Sequence, residues 1–310
     1  MNICIRLGGG FLPKESNNII RGILILMIMC LHMNNHLISR YDSHYLSFSN
    51  GWGEIGNACF LFMSGYGIYS SMKNVEYVKF SYIKKKIIRI ITTFLFAFAS
   101  AIVICSFVGT PYDYSLFLEQ LFTMTIPFTR EWFLKAIIYC YIISFISFRM
   151  TKTTNYRLFS VFVFLCLYFV AAHYCKIGSW MYSSILCYGL GMFFAEYKEL
   201  FAKVPNSLAL IVLVTIILLL RYRIDIPLEV TFSDFVICIL LAYISRIVKL
   251  NLFFIEYVGK NSLLFYAFHI GYVHFCFGKY IDPFVNIGIT TMLVFMYSHI
   301  QNKSMNKIKI

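Results

Sequence analysis

The sequence predicts an all-α polytopic membrane protein with about ten transmembrane helices and both termini in the cytoplasm, and three observations carry that reading. Of 310 residues, 60% are hydrophobic and only 13% charged, against roughly 25% charged in soluble domains. The apolar residues fall into about ten runs that are long enough to span a bilayer or nearly so. Lys and Arg gather in short clusters between those runs on alternate sides, as the positive-inside rule requires.

Residues 1–18 contain Gly8, Gly9, Gly10 and Pro13. They lack the apolar core and small-residue cleavage site of a signal peptide, so they are expected to be a cytoplasmic lead-in. A transmembrane region over 19–300 follows, with spans predicted near 19–38, 55–72, 87–108, 132–148, 158–174, 180–197, 208–222, 232–248, 263–277 and 284–300. A basic cytoplasmic tail, 301–310, carries Lys303, Lys307 and Lys309. With the N-terminus inside, 20 of the 27 Lys and Arg fall on the cytoplasmic side, among them Lys84, Lys85, Lys86 and Arg89 before the third span. The prolines lie in loops or at helix ends, which counts against a transporter built on discontinuous helices.

The net charge of +13 is accounted for by these clusters, so nucleic acid is excluded as a partner and the lipid bilayer takes its place. Ten cysteines include no CxxC pair, and Cys30, Cys105, Cys140, Cys166 and Cys238 sit inside apolar runs. They read as small buried hydrophobes, with no disulfide frame and no metal site.

The stretch 21–36, RGILILMIMCLHMNNH, places Arg21 and His32 eleven positions apart with nothing ionisable between them. On an α-helix that is three turns plus about 20°, so both lie on one face, about 16 Å apart along the axis. Ionisable residues inside a span usually face the protein interior and do something there. The alternative is a flanking charge followed by a packed histidine.

Several stretches together resemble the acyltransferase 3 family, polytopic membrane enzymes that move acyl groups, mostly acetyl from acetyl-CoA, onto sugars of surface polysaccharides. Arg21 and His32 match the family's Arg, ten residues, His pattern. GEIGNACFLFMSGYG, 53–67, resembles its FF-x-x-SGF segment, with Tyr66 for the usual Phe and with Asn57 and Ala58 for Val-Asp. YIKKKIIRI resembles its R-x-x-R signature, with Lys86 for the first arginine and Arg89 for the second. WFLKAIIYCY from Trp132, CYGLGMFFAE, and VGKNSLLFYAFH over 258–269 are similar to three further segments, the last being Gly-Lys-x-Ser, Tyr, His.

The resemblance implies an O-acetyltransferase of the cell membrane, with acetyl-CoA as donor and a glycan or lipid-linked oligosaccharide as acceptor. Arg21 would then sit near the cytoplasmic boundary with the donor phosphates, and His32 past the midplane at the thioester, a separation suited to an extended pantetheine arm. Imidazole can take the acceptor's proton or carry the acyl group itself, and both routes stay open. Lys85, Lys86 and Arg89 are candidate phosphate ligands, or only a topology anchor. Lys260 and Ser262 are expected where Gly259–Ser262 open the ninth helix, as a phosphate seat or a plain cap. His36, one turn beyond His32, is a candidate for orienting it or for meeting the acceptor. Ser64 can donate to a thioester carbonyl or simply pack between helices. Glu131 and Trp132 at the outer boundary are candidates for sugar contacts, and His269 matches the family's histidine. A polysaccharide polymerase, a flippase or another polytopic transporter is the competing class.

Overall fold

The computed structural model describes residues 2–5, 10–41, 49–75, 79–108, 112–124, 132–151, 153–220, 227–271, 288, 291–297 and 299–300. The helices, in chain order, are α1 (Lys14–Tyr41), α2 (Trp52–Met72), α3 (Phe80–Val108), the short α4 (Phe117–Phe122), α5 (Trp132–Met150), α6 (Thr154–Tyr174), α7 (Leu186–Glu196), α8 (Lys198–Ala202), α9 (Asn206–Leu220), α10 (Pro227–Ile247), α11 (Phe253–Lys260) and α12 (Ser262–Gly271). Residues 291–297 are helical as well. Each of the ten predicted runs therefore overlaps helical residues. Among the described residues, five stretches are long and apolar enough to cross a membrane: Lys14–Asn35, Phe80–Val103, Trp132–Met150, Thr154–Tyr174 and Val230–Ile247.

Three features depart from the sequence reading. First, the lead-in forms a strand, β1 (Asn2–Ile5), which pairs antiparallel with β2 (Val248–Asn251) at the end of α10, Asn2 facing Asn251 and Ile5 facing Val248. Second, the sixth predicted span is not one helix. Two 3-10 turns, Ser179–Met181 and Ser183–Ile185, precede α7. There α10 holds the segment through one backbone group and one side chain: Thr231 Oγ1 donates to the Ser183 carbonyl at 2.7 Å and Ser184 Oγ donates to Asp234 Oδ2 at 2.8 Å.

Third, Gly259 and Lys260 close a helix instead of opening one. Asn261 breaks the chain between α11 and α12, its side-chain amide donating to the Tyr257 carbonyl at 3.0 Å and its backbone N–H reaching Tyr257 and Val258. The carbonyls released at the end of α11 are thereby satisfied locally.

Close helix crossings hold the bundle together. A Cβ added at Gly22 would run into the backbone carbonyl of Ile255, and one at Gly259 into that of Asn18, so α1 and α11 meet backbone to backbone. Gly65 and Gly191 bring α2 and α7 together in the same way, against Tyr188 and Phe62. Small residues at such crossings are the usual means of close packing between membrane helices, where van der Waals contact supplies the attraction. At one end of the second crossing the Tyr69 hydroxyl donates to Glu196 Oε2 at 2.8 Å, with Lys73 Nζ 3.9 Å from the same oxygen.

Candidate active site

The α1–α11 crossing brings Arg21 into one cavity with Lys260 and Ser262, which flank the helix break at Asn261; the cavity, of about 210 Å³, is walled by α1, α2, α3, α5, α11 and α12. Each wall offers one helical stripe. From α5 come Phe133, Ile137 and Tyr141, four residues apart, and from α2 come Phe60 and Ser64. Ser262 and Tyr266 come from α12. Cations enter from three sides: Arg21 on α1, Lys86 and Arg89 one turn apart on α3, and Lys260 at the end of α11.

No carboxylate is among the described residues that line it. The Lys260 ammonium is 2.7 Å from Glu256 Oε1, an i, i+4 pair that holds the Glu256 carboxyl below its ordinary range. Lys86 lies over the rings of Tyr82 and Tyr141, with Nζ 5.1 and 5.9 Å from their centroids. The Nε of Arg21 is buried and makes no hydrogen bond within the described residues. A buried, unsatisfied guanidinium donor facing other cations is an arrangement that an anion with several oxygen acceptors completes.

The histidines lie deeper. His32 is half-buried and does not line the cavity; its ring centroid is 5.2 Å from that of His269, with the planes tilted by 51°. His269 is fully buried. Its Nδ1 is 2.9 Å from the carbonyl oxygens of both Phe265 and Tyr266, and since a carbonyl only accepts, Nδ1 carries the proton. Tyr266 joins the two levels: it lines the cavity, its ring meets His269 edge-on at 5.7 Å, and it packs against Phe133 at 5.0 Å.

A family model described as an acyltransferase domain matches residues 15–298. The chain belongs to the acyltransferase 3 family. With its several apolar helices it is accordingly a multi-pass membrane acyltransferase. Comparison with curated proteins and with solved structures gave no match.

The cavity collects Arg21, Ser64, Lys86, Arg89, Lys260 and Ser262 from the residues singled out in the sequence, and the rings of His32 and His269 pack together outside its lining. Lys85 does not join them; one step from Lys86 on a helix turns a side chain by about 100°, and Lys85 is exposed off the cavity. Lys260 joins from the C-terminal end of α11, so it is a cation at a favourable helix end and not part of a helix N-terminal seat. Trp132 is buried against Phe133 at 5.9 Å, away from the cavity lining. Glu131 lies outside the described residues, and so does the side chain of His36, whose backbone belongs to α1. Tyr141, Phe133 and Tyr266 were not singled out as cavity residues. The signal for them was the four-residue spacing, from Phe133 through Ile137 to Tyr141 and from Ser262 to Tyr266, within segments rich enough in aromatics to read as core.

Proposed function

We propose that this acyltransferase is an O-acetyltransferase of the cell membrane that moves acetyl from cytosolic acetyl-CoA to a hydroxyl of a surface glycan or its lipid-linked precursor. The observation that carries the reading is the convergence of Arg21, Lys86, Arg89 and Lys260 on one cavity with a buried, unsatisfied Arg21 Nε, three helical turns from His32. Phosphate oxygens would satisfy the guanidinium fork and the point charges of the lysines. The pantetheine arm would then run down the stripe of Ser64 and Tyr266 toward the histidines. Both termini cytoplasmic and ten crossings belong to this reading, because the donor must reach Arg21 from the cytosol.

His32 supplies the chemistry. In direct transfer the acceptor oxygen attacks the thioester carbonyl carbon while His32 takes its proton, the C–S bond breaks, and the CoA thiolate recovers that proton from the imidazolium. In the covalent variant the imidazole nitrogen attacks the thioester carbon, the C–S bond breaks to release the CoA thiolate, the acceptor oxygen then takes the acetyl group from the histidine, and the acceptor's proton passes to the thiolate. Ser64, on the cavity wall, offers a hydroxyl suited to donate to the thioester oxygen.

Radiolabelled acetyl-CoA offered to membranes containing the protein tests the reading. The expected result is label in glycan, absent from membranes without the protein and from those carrying His32→Ala. A polymerase or flippase would lengthen or move glycan with no acetyl label, and that result, with insertion of the protein verified, would overturn the assignment.

A further inference from the structure

We propose that His269 is a positioning residue for His32, the group that fixes its tautomer. The proposal rests on the reading of His32 as base or carrier. It stands on the geometry of α12, where Ser262, Tyr266 and His269 fall on one stripe that descends from the cavity to the histidine level.

Two carbonyls of the preceding turn, those of Phe265 and Tyr266, both receive the His269 Nδ1–H at 2.9 Å. That bond assigns the proton to Nδ1 and leaves Nε2 as an acceptor. It also anchors the ring to its own helix by one edge, so Nε2 is the nitrogen turned away from the α12 backbone.

The ring packed against it is that of His32, with 5.2 Å between centroids. His269 Nε2 is buried and makes no hydrogen bond within the described residues; at this centroid separation, ring nitrogens turned toward one another would come within the range of an N–H···N hydrogen bond. The rings are tilted by 51°, and a turn of His32 about χ2, a broad torsion in histidine, would bring its nitrogen onto His269 Nε2. Catalytic hydrogen bonds of this kind align in the reacting complex.

With one nitrogen of His32 donating to His269 Nε2, the other must present a lone pair. When that lone pair takes the acceptor's proton, the bond to His269 becomes charge-assisted and strengthens. The proton returns to the thiolate through the same nitrogen, and His269 keeps its own Nδ1–H throughout. The logic is that of a nucleophile or base oriented by a third group. Here the orienting group is an imidazole held by backbone carbonyls.

Three variants test the proposal in purified protein whose thermal unfolding matches the wild type: His269→Ala, His269→Gln and His269→Phe. Gln offers an acceptor oxygen near the position of Nε2, whereas Phe keeps the volume and removes the acceptor. His269→Phe and His269→Ala should lose at least about 10-fold in kcat with the acetyl-CoA KM changed by no more than about 3-fold, and His269→Gln should recover most of that kcat. If His32→Ala is inactive but His269→Gln is no better than His269→Phe, the positioning role is overturned and His269 is core packing. If His32→Ala itself keeps full activity, the reading of His32 falls first and the positioning role with it. Should His269→Ala fail to fold, the Gln and Phe pair alone decides.

Discussion

Helix α1 separates two cavities of nearly equal size and opposite chemistry. One face carries Arg21 into the cavity of about 210 Å³, with Lys86, Arg89 and Lys260 around it. The other face turns Ile19, Ile20, Ile23, Leu24 and Met27 into a cavity of about 240 Å³ shared with α2 and α10, where among the described residues the hydroxyls are those of Ser16 and Ser245. Ser245 is already committed, accepting from the Leu12 N–H at 3.0 Å and donating to the Ala242 carbonyl at 2.6 Å. Volume therefore does not identify the site. Among membrane-spanning helices an apolar void is matched to hydrocarbon surroundings, whereas a cluster of cations is costly and implies a ligand that compensates it.

The largest effect expected from this contrast is at the histidine level below the charged cavity. His32→Ala should lower acyl transfer by about 10² to 10⁴, the range for loss of a general base, and further if the histidine carries the acyl group. Turnover assays on correctly inserted protein check it.

Next comes the crossing that presents Arg21. Gly259→Ala puts a methyl group against the Asn18 carbonyl and must push α1 from α11, so it should destabilise the fold by about 1–3 kcal/mol and weaken donor binding together. Gly67→Ala, on α2 with open space around the new methyl, is the matched control and should do neither. Thermal unfolding followed in parallel with donor affinity would show whether the crossing and the site are coupled.

A smaller, purely kinetic effect is expected on α3. Replacing Lys86 and Arg89 together by alanine should raise the acetyl-CoA KM and leave kcat at saturation close to the wild-type value, because binding common to ground and transition states is lost. An unchanged KM would return the pair to the role of topology anchor.

Much of this site was legible in the sequence because it depends on helical periodicity. Arg21 and His32 share a stripe by spacing alone, and the density of Lys84, Lys85, Lys86 and Arg89 marks the cation wall. What spacing could not convey is which neighbour each stripe faces. Lys85 and Lys86 are equivalent in sequence, and only packing against α5 selects Lys86, which lies over Tyr141. The break at Asn261 depends on one side-chain amide competing for carbonyls at 257, a local bond that apolar periodicity cannot register. The β1–β2 pairing joins opposite ends of the chain through backbone groups that carry no pattern of their own. Likewise, the 3-10 turns before α7 owe their form to Thr231 and Asp234 on a helix distant in sequence.

Direct binding of acetyl-CoA to the purified, detergent-solubilised protein tests most closely the claim that the charged cavity, and not its apolar counterpart across α1, receives the donor. Arg21→Ala should reduce affinity by about 10-fold or more, the scale of a lost charge-assisted contact. Leu241→Phe, which fills the apolar cavity, should leave it within about 2-fold, as expected for a site outside the binding contacts. Weakened binding in Leu241→Phe with wild-type binding in Arg21→Ala would contradict the assignment of the donor site.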